Sequence, residues 1–552
     1  MAHFDHVDQR PGDHFGARCS GLALAALVAG CVGRIAGAPV PGAGAGAGSG
    51  GPGSGVVDVG SVGIHRLNNA EYDNTVHDLL GVTGSAVTSF IPDEKALGFD
   101  TIADAFTMSD ARYEQYYDAA DALVEQAFAD AALRGRILTC APVATGDTAC
   151  THQIIQTFGA RAWRRPLTDA EIASLTKVGA DAIALGEDGP GAVKQVVKTM
   201  LVSPQFLYRV ETDPVPDTLS AHPLDAYQLA ARLSYLFWST MPDDPLFALA
   251  ASGQLLDSDS LARQVDRMLA DPRAANFVSS FAGQWLGLRD LASHQVEPTA
   301  FPAWSEPLRQ SMIAEGLAYF GDFLASDRNL SQFMTATADM GFADARLQAF
   351  YGPDAAAQRQ GFLGLASFLT VSSYSYRTAP TLRGKWVLEN LLCQTIPAPP
   401  PNIPKLDDGV AGSVATQSLN VRERLAEHRA NPMCATCHVV LDPIGLGLES
   451  FDAIGQYRQQ YVNGDAIDAS GVLPDGATFN GINQLSVLLA GDPRFLDCAS
   501  HKMMTYALSR ELSAADDPAL RQLRDSWSRQ GSGLRALIKL LVASPPFRNR
   551  HG

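Results

Sequence analysis

The chain reads as a mainly α-helical protein of several units, and three observations carry that reading. Its 552 residues are too many for one hydrophobic core, and 46% of them are hydrophobic, enough to fill several. Apolar positions recur at helical spacing from His65 to Phe547. Strand character is confined to a short glycine-punctuated stretch near residues 464–481.

The N-terminus reads as an export signal. After Arg18, the apolar stretch Gly21 to Gly30 has the length of a signal-peptide core and is too short to span a bilayer. It ends Leu27-Val28-Ala29-Gly30-Cys31, which resembles the bacterial lipobox: small residues admit the signal peptidase and the Cys31 thiol is acylated. The alternative is an ordinary signal cut near Ala36 to Ala38, with Cys31 discarded. The long preceding segment with His3, Asp5, His6 and Asp8 points to a start codon placed too early. Residues 1–31 are therefore expected to be a signal peptide with a lipobox. Residues 32–56, almost wholly Gly, Ala, Ser and Pro from Gly42 to Gly55, are expected to be a flexible tether. No later run approaches the roughly 18 to 20 uncharged apolar residues that a membrane helix needs. The expected location is the periplasm or cell surface, with lipid anchoring to the outer membrane. A net charge of −17, from 59 acidic against 42 basic residues, argues against a nucleic-acid partner.

Five units follow in order. In the first, 57–135, HRLNNAEYDNTVHDLLGV offers Asn68 or Asn69 as helix cap and sets Tyr72, Val76, Leu79 and Leu80 on one face. A second helix, Met108 to Asp130, carries Tyr113, Tyr116 and Tyr117. In the second unit, 136–212, Pro166 and Thr168 mark a helix break and a new cap, and a helix over Val193 to Leu201 stops at Ser203-Pro204-Gln205-Phe206. The third, 220–355, is strongly helical between Leu224 and Leu291. Its Asp243 and Asp244 could pair for acid/base chemistry, but between Pro242 and Pro245 they read better as turn and cap residues. The fourth, 356–463, holds the motif described below. The fifth, 464–552, begins with Gly471, Gly476 and Gly481, which suit a small hairpin.

The Ser-Pro stop returns at Leu541-Val542-Ala543-Ser544-Pro545-Pro546-Phe547. Cys150, Arg165 and Ser203 mirror Cys498, Arg510 and Ser544 in order and spacing. Either a weak internal duplication brackets the middle of the chain, or two ordinary helical hairpins share similar stops.

Of eight cysteines, Cys19 and Cys31 lie in the leader and Cys434 and Cys437 in one short motif. An exported protein pairs the remaining four by default. The short separation of Cys140 and Cys150 suggests a local bridge, which leaves Cys393 for Cys498; the alternative is free buried thiols.

At 434–438 the chain reads Cys-Ala-Thr-Cys-His. On a helix, positions i, i+3 and i+4 share a face, so Cys434, Cys437 and His438 address one object. Two thiols and an adjacent imidazole are what covalent attachment of a c-type haem requires: two thioethers to the vinyl groups and one proximal iron ligand, His438. A thioredoxin-like site would need a strand before the cysteines, whereas Arg422 to Arg429 reads as a helix. A zinc site would need a second ligand pair at suitable spacing, and none stands out. One haem c is thus expected, within a cytochrome-c-like segment embedded in the helical chain. The distal ligand stays open among His428, His501, Met503 and Met504, with five-coordinate iron as a further alternative. Both methionines sit in an apolar helical pattern that favours core packing.

These blocks, with YRTAPTLRGKWVLENLLC at 376–393, the proline-rich Pro397 to Pro404 and CATCHVVLDPIGLGLESFDAIGQYR from Cys434, resemble the planctomycete cytochrome-C-related multidomain family. The resemblance spans residues 62–550 in the family's order and implies a haem on Cys434, Cys437 and His438. Asp442, Pro443, Gly445, Phe451, Asp452 and Gly455 match the residues that follow the family's motif. It implies no substrate, because the family joins five domains of uncharacterised function.

The leading expectation for function is electron transfer with a redox partner protein or a small oxidant. A haem-dependent oxidative enzyme, peroxidase-like or oxygenase-like, is the first alternative, since the residues ahead of the motif exceed what a carrier needs. A structural or polymer-binding lipoprotein with ancillary haem is the second. No Ser-His-Asp order, phosphate loop or His-Glu metal helix supports a hydrolase or a kinase.

Overall fold

A computed structural model describes residues 59, 63–143, 148–213, 221–337, 344–397 and 420–550. The signal segment with Cys31 and the tether at 32–56 lie outside the described residues. The described residues are mainly helical, with three two-stranded antiparallel pairs among them.

Local chemistry sets the helix starts. Helix Asn69–Leu80 begins at a reciprocal cap: the Asn68 side chain accepts from the Glu71 amide at 2.8 Å, and the Glu71 carboxylate accepts from the Asn68 amide at 3.0 Å. Its Tyr72, Val76, Leu79 and Leu80 face is buried, and Gly81 ends the helix in the left-handed conformation. The small β element is the hairpin of β4 (Ser470–Val472) and β5 (Thr478–Asn480), where the glycines place it.

Side chains collect into two main hydrophobic clusters. One joins Leu67, Tyr72, Tyr116, Phe158, Met200 and Phe206 in the N-terminal part. The other runs from Phe99 and Leu224 through Phe281, Phe320 and Leu388 to Met503, Trp527 and Phe547. Tyr235 lies at their junction, where its hydroxyl meets Thr75 at 3.0 Å and the Arg164 guanidinium at 3.1 Å.

The segments bracketing the middle of the chain fold alike. Strand β1 (His65–Arg66) pairs with β2 (Tyr208–Arg209), and β3 (His222–Pro223) pairs with β6 (Asn549–Arg550) in the same register, His65 opposite Arg209 and His222 opposite Arg550. Beyond each pair an amide donates to the turn that closes the Ser-Pro helix, Leu67 to Leu207 at 2.8 Å and Leu224 to Arg548 at 2.9 Å. Helix Ala226–Trp238 repeats the reciprocal cap of Asn68 and Glu71 with Asp225 and Gln228. Arg165 grips Glu171 with two hydrogen bonds, and that glutamate closes a capping box with Thr168. Arg510 does the same to Asp516, which closes a capping box with Ser513. These shared details go beyond what two unrelated Ser-Pro stops require. The second copy is interrupted: its first strand precedes the middle of the chain and its last helices follow it.

Disulfides join Cys140 to Cys150 and Cys393 to Cys498. The second ties the segment before the motif to helix Pro493–Leu508 across 105 residues. Closing so long a loop restricts the unfolded chain strongly.

Helices Pro380–Trp386 and Pro432–Leu446 cross almost backbone to backbone and so position the motif. A Cβ built on Gly384 in helix Pro380–Trp386 would run into the Leu441 carbonyl oxygen, and one on Gly445 into the Pro380 carbonyl oxygen. Arg383, fully buried beside the crossing, donates to the carbonyls of Leu448, Phe451, Leu369 and Asp452 and to the Ser373 hydroxyl. Gly445→Ala is therefore expected to destabilise by about 1–3 kcal/mol through overpacking. Gly135→Ala, in helix Ala131–Ile137 with open space where the added methyl would point, should be neutral or slightly stabilising. Thermal melts of the two variants check this, and equal melting temperatures would refute the crossing as a constraint.

A second buried group gives the fold a pH dependence. Glu315 in helix Glu306–Ser326 accepts the Tyr351 hydroxyl at 2.5 Å, and burial raises its carboxyl from 4.5 to about 7 despite that bond and nearby Arg359. The folded chain thus holds a proton that the unfolded chain releases, so this contribution is complete below the ordinary carboxylate range and is lost as pH rises through about 7. Between pH 5 and 7.5, melting temperature should fall more steeply for the native protein than for Glu315→Gln; parallel curves would contradict it.

Candidate functional site

The motif lies on helix Pro432–Leu446. Asn431 caps it by accepting from the Met433 amide at 3.0 Å, and Pro432 occupies the first turn, where its missing N–H costs nothing. The preceding helix, Val421–Arg429, opens with a capping box between Asn420 and Glu423. The chain thus enters the motif from a helix, whereas a thioredoxin-type site needs a strand there. Among the described residues, no three His, Cys, Asp or Glu side chains gather as a metal cage.

Cys434, Cys437 and His438 are all partly exposed on this helix. Cys434 and Cys437 are free thiols, while the other four described cysteines are paired. Met433 and Val439 flank them as exposed apolar side chains, 69% and 59% accessible, on a helix whose far end is buried. Water-facing apolar surface beside two free thiols suits a flat, largely apolar group.

The imidazole is held by a buried carboxylate. His438 Nδ1 lies 2.9 Å from Asp442 Oδ1, one turn further along the helix. Asp442 is fully buried, and its Oδ1 also accepts the Thr381 hydroxyl at 2.8 Å while Oδ2 accepts Arg429 Nη1 at 2.8 Å. A carboxylate can only accept, so Nδ1 carries a proton, and the neutral imidazole then has its lone pair on Nε2. Free thiols on one face, an Nε2 lone pair and adjacent apolar surface fit the donor set of a c-type haem.

The candidate distal ligands separate. His428 sits beside His438, with ring centres 4.7 Å apart and edge to face. Burial and the neighbouring His438 hold its pKa below the ordinary value. This contact is direct ring packing, with no room between the rings for the plane of a macrocycle. Met503 and Met504 are buried in the larger hydrophobic cluster. His501, on the same helix, is partly buried, lies 3.5 Å from the Thr505 hydroxyl, and is held low by burial and by nearby Lys502 and Arg524.

Behind the motif helix a charged cluster anchors the following loop. Glu449, fully buried, accepts from Thr378 at 2.9 Å and Arg458 at 2.9 Å and faces Arg383 at 3.7 Å. Burial raises its pKa against the pull of both guanidinium groups. Asp243 serves as a helix cap, accepting from the Leu246 amide while Arg267 binds its carboxylate, and Asp244 is an exposed partner of Arg161. The two carboxylates thus have separate structural partners.

Sequence reasoning missed Asp442 as the partner of His438, and Thr381 and Arg429 as the partners of Asp442. The signal was present for one of them: His438 and Asp442 stand four apart, the spacing that meets on a helix. Thr381 and Arg429 come from other helices, and no local pattern announces them.

Five family models match the chain. Each is described as a protein of unknown function: DUF1587 over residues 65–129, DUF1595 over 150–211, DUF1592 over 224–352, DUF1588 over 359–461 and DUF1585 over 475–547. The DUF1588 match contains the motif helix. No curated protein and no solved structure matches the chain. With these five regions following one another over most of its length, the chain belongs to the planctomycete cytochrome-C-related multidomain family.

Proposed function

We propose that this is an exported c-type haem lipoprotein that transfers electrons in the periplasm or at the cell surface. The observation that carries the proposal is the pair of free thiols and the oriented imidazole on one face of helix Pro432–Leu446. When bound, haem supplies one-electron exchange between ferrous and ferric iron, with a potential set by its ligands and its burial. Cys434 and Cys437 would hold the haem covalently through their thiols. His438 would present Nε2, and Met433 and Val439 are exposed apolar side chains on the same helix. The partial exposure of Cys434, Cys437 and His438 supports approach by a redox partner protein or a small oxidant. The lipobox at Leu27 to Cys31 supports anchoring through acyl chains on Cys31, and the tether supports reach from the membrane surface.

Expressed from its own leader in a host competent for cytochrome maturation, the full chain should purify coloured. Its mass should equal polypeptide plus acyl chains plus one haem, and its spectrum should be low-spin and indifferent to cyanide. Replacing both Cys434 and Cys437 by Ala should abolish covalent haem while circular dichroism stays helical. A colourless native protein would end this reading, and a high-spin, cyanide-sensitive spectrum would transfer support to an oxidative enzyme. Cys31→Ala should move the protein from the membrane fraction to the soluble fraction, as checked by fractionation and immunoblot; retention in the membrane would remove Cys31 as the anchor.

A further inference from the structure

Three elements converge on one buried carboxylate, and what they fix is the orientation of the motif histidine. Asp442 stands on the motif helix itself, Thr381 on the crossing helix Pro380–Trp386, and Arg429 at the end of helix Val421–Arg429. Thr381 and His438 share Oδ1, at 2.8 and 2.9 Å, and Arg429 holds Oδ2 at 2.8 Å. With both oxygens engaged and no solvent access, the carboxylate cannot turn away from the imidazole. Arg429 alone would account for a surface ion pair; it does not account for a fully buried carboxylate with a hydroxyl and an imidazole on its other oxygen.

We propose that Asp442 is the positioning residue of the iron ligand: through the hydrogen bond to Nδ1 it fixes His438 with Nε2 free and makes it a stronger donor to iron. This inference rests on the haem reading above. A charged acceptor draws more electron density toward the ring than a neutral carbonyl does, and a more basic imidazole favours ferric over ferrous iron. The haem is thereby held at a lower reduction potential than the same motif would have without the carboxylate. Because Thr381 belongs to the crossing helix, the packing at Gly384 and Gly445 sets the angle at which this carboxylate meets the ring.

The experiment is redox titration of the haem-loaded full chain, with haem content measured separately from the pyridine haemochrome spectrum. Asp442→Asn should keep covalent haem, which depends on the cysteines, and shift the midpoint potential positive. Thr381→Val removes the competing donor from Oδ1 and so strengthens the bond to His438; it should shift the potential negative, by less than Asp442→Asn shifts it positive. Arg429→Gln leaves the bond to His438 in place, so its negative shift should be smaller than the positive shift of Asp442→Asn. An unchanged potential in Asp442→Asn, or shifts in the Asp442 and Arg429 variants that are equal and opposite, would overturn the proposal, because through-space charge would then suffice. Should Asp442→Asn fail to accumulate, Thr381→Val decides: no shift there overturns it. A native protein without covalent haem removes the parent reading, whereas a loaded protein whose potential ignores Asp442 removes this inference alone.

Discussion

The contact on which the rest of this molecule depends is the crossing of helices Pro380–Trp386 and Pro432–Leu446 at Gly384 and Gly445. Two helices carrying ordinary side chains hold their axes about 8–10 Å apart. Here each helix presents a glycine to a carbonyl oxygen of the other, and the backbones meet directly. That proximity brings Thr381 within reach of Asp442 and leaves Arg383 buried beneath the joint with five acceptors. One face of the motif helix is thereby committed to the interior, and Cys434, Cys437 and His438 are left toward the edge.

Charge is distributed according to the same logic. A buried ion pair seldom stabilises a protein on balance, because desolvation offsets the attraction, but removing one partner costs several kcal/mol. Arg383, Glu449 and Arg458 form such a cluster, and the two arginines donate to carbonyls of the loop that follows the motif helix. The cluster specifies where that loop goes. Asp442 with Arg429 and Thr381 does the same for one side chain, the imidazole of His438.

The two similar segments explain how the motif region is enclosed. β6 at the end of the chain pairs with β3, so residues 224–548 lie between two strands that are neighbours in space. Cys393–Cys498 joins the same stretch internally. The guanidinium groups that hold the Ser-Pro turns differ between the copies. Arg164 reaches the carbonyls of Gln205 and Phe206 from its own half, while Arg232 reaches those of Pro546 and Phe547 from the element before the interruption. The turn is the same and the donor is not, which is why the likeness is faint when read along the chain.

Spacing and residue type along the chain determined the helical class, the Cys434, Cys437 and His438 face, the cap at the start of helix Asn69–Leu80 and the glycine-marked hairpin. All four depend on neighbours within one turn or one loop, and the local rules of helix and turn geometry reach that far. Even there a choice remained between Asn68 and Asn69, and the reach of the Glu71 side chain resolved it in favour of Asn68. Tertiary structure decided the rest. Pro443 should break the helix, yet the helix runs on to Leu446, and the tertiary packing around Gly445 must offset the roughly 3 kcal/mol that an interior proline costs. Only that continuation sets Asp442 one turn from His438, and only a distant helix supplies Thr381. A carboxylate's partners across space leave no period in a sequence, so helical spacing could set Asp442 beside His438 but could not supply Thr381 or Arg429.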